Sequence, residues 1–220
     1  MNPLTQSKSL NMRLRVFAFS CLTTASIIVR EDVPSADLVT INRASTSGSG
    51  CPRRAVSCDI STDRTVVTLG FDEFQTYIGR GRNSADREKN CEIHLNLKYP
   101  GGYTFAVVDV TYHGFAQLDN GVSGTFTSEY SFQSGNTTTT TSRADLTGGG
   151  GFERGQTYTK HDQIPTSRTV KSPCGGNVNM LIRTRINLSS LNDSASGSTS
   201  DDDATIAFTQ QVHIGWQTCR

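Results

Sequence analysis

The residues of this 220-residue chain best suited to proton transfer or metal binding are its four histidines, His94, His113, His161 and His213. An imidazole within reach of a carboxylate could act as a general base or hold a metal, and Glu92, Asp109 and Asp119 are the candidate carboxylates. His94, His113 and His213 fall out of phase with their apolar neighbours, so they are expected on solvent-facing sides of strands rather than gathered in a cleft. A serine nucleophile is not signalled either. No Gly-x-Ser-x-Gly elbow occurs, and Gly48-Ser49-Gly50 reads as a flexible approach to Cys51. Twenty acidic residues allow many carboxylate pairs for glycoside hydrolysis, and nothing singles one out. The run Gly148-Gly149-Gly150-Gly151 lacks the Lys-Ser/Thr and the helix of a phosphate loop, so a flexible connection is expected. Asp201-Asp202-Asp203 lacks an ordered calcium-ligand spacing and reads as a solvated turn. The expectation is therefore no catalytic residue, no metal site and no cofactor, and a protein that is not an enzyme.

Covalent chemistry is better signalled. Of the six cysteines, Cys21 lies in the N-terminal region, and Cys51, Cys58, Cys91, Cys174 and Cys219 remain. None stands in a CxxC pair or at metal-ligand spacing to a histidine, so disulfides are expected. Five is odd. Cys58, in phase with the apolar positions of Val56-Ser57-Cys58-Asp59-Ile60, is expected to be the buried free thiol. Sequons for N-glycosylation stand at Asn136, Asn187 and Asn192, in or beside expected loops.

Residues 1–30 hold Lys8, Arg13, Arg15 and Arg30, no acid, and an apolar run from Val16. That is the pattern of a secretory signal, with cleavage near residues 25–30 and Met12 as an alternative start. Its removal leaves 17 Lys+Arg against 20 Asp+Glu, a formal net of −3. A chain so charged, without a basic stripe, is not expected to bind nucleic acid. No segment is long and apolar enough to span a bilayer, and no hydrophobic tail offers a membrane anchor.

The elements that must carry these residues are strands. In 92–99, Ile93, Leu95 and Leu97 alternate with His94, Asn96 and Lys98, the period of a half-buried antiparallel strand. Further strands are predicted over 55–60, 65–71, 104–115, 121–132, 137–146, 157–164, 177–188 and 205–216, with Ser61-Thr62-Asp63-Arg64 turning the first hairpin. Helical periodicity is absent. Hydrophobic content of 35% with 20 glycines agrees with eight to nine short strands. The fold class expected is all-β, an antiparallel β-sandwich or distorted barrel, as one domain over 51–220. Residues 31–50 read as a weakly ordered polar lead-in, 79–90 as a mobile surface loop and 189–203 as an acidic linker-like loop. Val212, Ile214 and Trp216 share one face of the last strand and are placed in the core.

Five motifs, Gly48-Ser49-Gly50-Cys51-Pro52, Asn90-Cys91, Tyr112-His113-Gly114-Phe115-Ala116-Gln117-Leu118, Ser172-Pro173-Cys174-Gly175 and Gly215-Trp216-Gln217-Thr218-Cys219, resemble those of the fungal secreted proteins grouped as domain of unknown function 4360. The likeness runs from about Val39 to Arg220. It implies a secreted, cysteine-stabilised, β-rich protein of a filamentous fungus, with cysteines matching Cys51, Cys91, Cys174 and Cys219 and no activity or catalytic residue to carry over. Cys58 departs from that pattern. Four cysteines allow three pairings. Placing the first and last strands as antiparallel neighbours predicts Cys51–Cys219, and with it Cys91–Cys174. The function expected is extracellular and non-enzymatic, at the cell surface or toward a host or competitor. The partners expected are a cell-wall glycan or an extracellular protein. A carbohydrate-binding module is the alternative, with Tyr99, Tyr103, Tyr112 and Tyr130 offering ring faces to sugars, and a small hydrolase ranks below it.

Overall fold

A computed structural model describes residues 33–133, 138–199 and 207–220, all within one compact unit. The signal-like region 1–30 and the Asp201–Asp203 run lie outside the described residues.

Among the described residues twelve strands follow one another as β1 (Thr40–Ser47), β2 (Val56–Ile60), β3 (Val66–Phe71), β4 (Tyr77–Ile78), β5 (Glu88–Tyr99), β6 (Tyr103–Leu118), β7 (Val122–Phe132), β8 (Thr140–Thr147), β9 (Gln156–Gln163), β10 (Gly176–Ser190), β11 (Gly197–Ser198) and β12 (Phe208–Thr218). Among the described residues the helical segments are four short 3-10 turns. One sheet has the order β1-β5-β10-β7-β8. The other runs β2-β3-β12-β6-β11-β4, with β9 also paired to β6. Every pairing is antiparallel. The protein is thus an all-β, antiparallel sandwich, as its alternation predicts.

The alternation explains the layers. Inward residues of β5 (Ile93, Leu95, Leu97) and β12 (Val212, Ile214, Trp216) are at most 3% exposed and meet one core cluster, each fully buried aliphatic side chain stabilising the fold by about 1.5–3 kcal/mol. Rings fill the space between the sheets: Phe208 stacks on Phe126 at 5.3 Å, and Trp216 meets Tyr99 and Phe105.

All nine predicted strands are present, and three more are not signalled by the sequence. β1 occupies part of the expected lead-in, because its backbone completes the edge of β5 although its side chains are mostly exposed. The expected loop at 79–90 is shorter than anticipated: Asn83 and Asp86 form a reciprocal cap, and β5 begins at Glu88. The two-residue strands β4 and β11 pair with each other, so part of the expected acidic loop enters a sheet. The glycine run is not a free connection either. Gly148 N donates to Val122 O at 2.8 Å and Gly149 N to Leu118 O at 3.0 Å. Backbone carbonyls take those N–H groups.

Candidate functional site

On the outer face of β6, Asp109, Thr111 and His113 project on the same side, and antiparallel register sets His213 of β12 opposite Asp109 and His161 of β9 opposite Thr111. Thr111 Oγ1 lies 2.9 Å from His161 Nδ1 and 3.4 Å from His213 Nε2, and Asp109 Oδ1 lies 3.8 Å from that same Nε2. This geometry is unsuited to a proton relay. A relay needs the carboxylate on one ring nitrogen and the nucleophile on the other, whereas here both approach Nε2. Thr111 is also 6% exposed, its hydroxyl occupied by the two rings. His113 Nδ1 pairs with Thr159 Oγ1 at 2.9 Å. Among the described residues no group of three or more His, Cys, Asp or Glu is placed to hold a metal.

The remaining carboxylate candidates have other partners. Glu92 receives His94 Nε2 and Arg183 Nε, each at 2.9 Å, and these bonds, Arg183 first, hold its carboxyl below the ordinary range. Asp119 accepts from Ser196 N at 2.7 Å and so fastens the turn before β11. Among the described residues histidine and carboxylate therefore meet twice, at His94–Glu92 and His213–Asp109, both on open sheet faces.

The outer face of the first sheet carries a second arrangement, which the sequence reading missed. Asn42 Nδ2 donates to Asn96 Oδ1 at 3.2 Å, Asn96 Nδ2 to Asn179 Oδ1 at 2.7 Å, and Asn179 Nδ2 to Gln133 Oε1 at 3.3 Å. Asn42 Nδ2 also reaches Asn177 Oδ1 at 3.2 Å. These amides form a ladder across β1, β5, β10 and the end of β7. Its donors all run one way. A shallow groove of about 380 Å³ beside it is lined by Arg43, Ser45, His94, Asn96, Gln133 and Asn179. On the same face, Arg183–Glu92 and Arg185–Glu88 ion pairs, at 2.9 and 2.8 Å, border a groove of about 460 Å³. The alternating asparagines at 177 and 179 hinted at a polar face, but only strand register brings Asn42, Asn96 and Gln133 beside them.

The tyrosines proposed as sugar platforms are mostly unavailable. Tyr99, Tyr112 and Tyr130 are at most 3% exposed. Their rings belong to the core, and burial pushes the Tyr112 hydroxyl up to about 12. Tyr103 is only partly buried. In place of a platform, Tyr112 and Tyr130 join a polar network between the sheets. The Tyr112 hydroxyl lies 2.9 Å from Ser128 Oγ and 3.1 Å from Ser142 Oγ, donating its one proton to one and accepting from the other, while Gln210 Nε2 donates to Tyr130 OH at 2.6 Å and to Ser128 Oγ, and Gln210 Oε1 accepts from Thr184 Oγ1.

The disulfides are Cys51–Cys91 and Cys174–Cys219, a correction to the expected pairing. The predicted first strand, 55–60, is β2, and β3 stands between it and β12 in their sheet, while Cys51 follows β1, whose neighbour β5 carries Cys91. Gly175 N and Cys219 N donate to Tyr103 O and Gly102 O, which brings Cys174 and Cys219 together at the start of β6. Cys58 is free and partly buried on β2, and burial, with Asp59 adding to it, raises its thiol to about 11. Of the sequons, Asn192 stands exposed in the turn after β10. Asn187 lies instead within β10, its Nδ2 3.4 Å from Glu88 Oε2. Asn136 lies outside the described residues.

The sequence profile of the family described as Domain of unknown function (DUF4360) matches residues 37–219. The chain belongs to this family. An uncharacterized secreted protein of Arthroderma benhamiae is 38% identical to this DUF4360 protein over 188 residues, spanning 86% of this chain and 75% of that relative. The protein is secreted, as that relative is, and its two disulfides accord with an oxidising compartment. Among solved structures, the DUF4360 chain aligns with TmCBM61 in complex with beta-1,4-galactotriose at a TM-score of 0.25 and 11% identity, over 86% of this chain and 97% of that one. It aligns with the C-terminal CBM6 of LamC from Zobellia galactanivorans at 0.23 and 10%, over 77% and 99%. At such scores these likenesses say nothing of a ligand.

Proposed function

We propose that this protein is a non-enzymatic binding protein that acts outside a fungal cell, at the cell surface or toward a host or competitor, after loss of a signal within residues 1–30. The observation that supports this reading is the amide ladder on the first sheet. Its groups are exposed or, at Asn96, half-buried, and are held in place by one another, as suits recognition, since ordering them costs a ligand little. The histidine–carboxylate contacts, by comparison, lie on open faces that exclude no water, and the pair nearest to a relay shares one nitrogen. Asn192 is the sequon best placed to carry a glycan.

The test is to add purified, fluorescently labelled protein to intact fungal walls and to run it against ester, glycoside and peptide substrates. Saturable retention on walls without turnover is expected. Turnover abolished by His213→Ala or Asp109→Asn, or absence of the protein from culture fluid, would overturn the reading.

A further inference from the structure

We infer that the amide ladder of the first sheet, with Arg43 and Lys98 beside it, is a binding site for an extended polyuronate, a hydroxyl-rich polysaccharide bearing carboxylates. This inference rests on the binding role proposed above and names its ligand.

Three observations carry it. The first is spacing. Asn42, Asn96, Asn179 and Gln133 stand on successive strands, roughly 4.7–4.9 Å apart from one strand to the next, close to the length of one hexose unit in an extended polysaccharide. A chain lying across the strands would meet an equivalent amide at each sugar. The second is hydrogen-bonding capacity. Each amide has two N–H donors and an oxygen with two lone pairs, and the ladder uses one N–H of Asn96 and of Asn179. The other N–H and lone pair at these positions remain for a ligand, and sugar hydroxyls, which both donate and accept, complement such pairs. The shared direction of the donors polarises the row and strengthens those outward groups.

The third observation is charge. Arg183, Arg185 and Arg143 are each bonded to a carboxylate, whereas Arg43 and Lys98 have no such partner among the described residues. Both lie against the ladder: Arg43 is opposite Asn96 and lines the groove, and Lys98 is opposite Asn177. A register shift between Ile41 and Arg43 places Asn42 beside Arg43, so that the Asn42 amide reaches Asn96 while Arg43 borders the same groove. Bulges re-aim side chains in this way. Amides for hydroxyls and two uncompensated cations for carboxylates together describe a polyuronate better than a neutral glycan.

The experiment is affinity electrophoresis of the full secreted chain in gels containing polygalacturonate, the same polymer fully methyl-esterified, or neutral β-glucan. Wild-type protein is expected to be retarded most by polygalacturonate, less as salt rises, and little by the ester. The double variant Asn96→Ala/Asn179→Ala should bind roughly tenfold more weakly. Arg43→Gln/Lys98→Gln, at exposed positions where folding is not at risk, should weaken binding and flatten its salt dependence. Gln211→Ala, on the other sheet, should change nothing. No retardation by polygalacturonate, or retardation unaffected by both double variants, would overturn the inference. If labelled protein still adhered to walls in that case, the binding role would stand and only its ligand would fall.

Discussion

At the residue scale, the placement of Cys58 on β2 decides its chemistry. Only the thiolate attacks, and with the thiol raised to about 11 the thiolate is scarce near neutral pH. Alkylation of native protein by N-ethylmaleimide at pH 8 should be roughly a hundredfold slower than in denaturant, and equal rates would show Cys58 to be exposed. The same shift bears on stability. The thiol holds its proton more tightly when folded, so its contribution is fully present below the ordinary value of 9.0 and is lost as pH rises toward about 11. Denaturant midpoints should fall across that window, and Cys58→Ser should lessen the fall. Glu92 behaves oppositely. Its lowered carboxyl favours the folded state above the usual carboxylate range and loses that effect as pH falls, so Arg183→Gln should move its titration upward by NMR.

At the element scale, an interior hydroxyl and amide network links the two sheets alongside the apolar packing. Gln210 is fully buried on β12 and bonds to Tyr130 and Ser128 of β7 and to Thr184 of β10. Gln210→Ala would leave three buried groups short of a partner and open a cavity, so urea unfolding should show a loss of roughly 2–5 kcal/mol. Gln210→Met keeps the volume and should cost less. Gly148 is held by a different constraint. A β-carbon there would stand 2.2 Å from Asp119 O and 2.8 Å from Val122 O, both backbone atoms, so Gly148→Ala should displace the turn after β8 and lower the melting temperature.

At the scale of the whole molecule, the two disulfides brace different places. Cys51–Cys91 ties the segment after β1 to β5, and Cys174–Cys219 ties the segment before β10 to the end of β12. With sequence separations of 40 and 45, chain entropy assigns each about 4 kcal/mol. Cys174→Ser/Cys219→Ser should therefore lower stability by up to that amount, and non-reducing peptide mapping should recover the two pairs as stated. Removal of the chain through Ser47 would uncover one edge of β5. Size-exclusion chromatography should then show aggregation, because an exposed edge strand invites pairing with another copy.

The nine predicted strands, the core faces of β5 and β12 and the inward Trp216 were legible in the sequence, because alternation is a local property that every half-buried strand must display. Family membership was legible for the same reason, carried by short motifs around the cysteines. The strands β1, β4 and β11 were not legible: their stability comes from the edges they complete, not from side chains they bury. The disulfide pairing depended on β3 standing between β2 and β12, and on β5, which carries Cys91, lying beside the strand that precedes Cys51. The candidate site depended on the register of β1, β5, β10 and the residue following β7, which sets Asn42, Asn96, Asn179 and Gln133 side by side from positions far apart in the chain. Alternation determines which face a residue occupies, but its neighbours across strands are fixed only when the backbone hydrogen bonds and the packed core select one register, and that selection belongs to the tertiary structure.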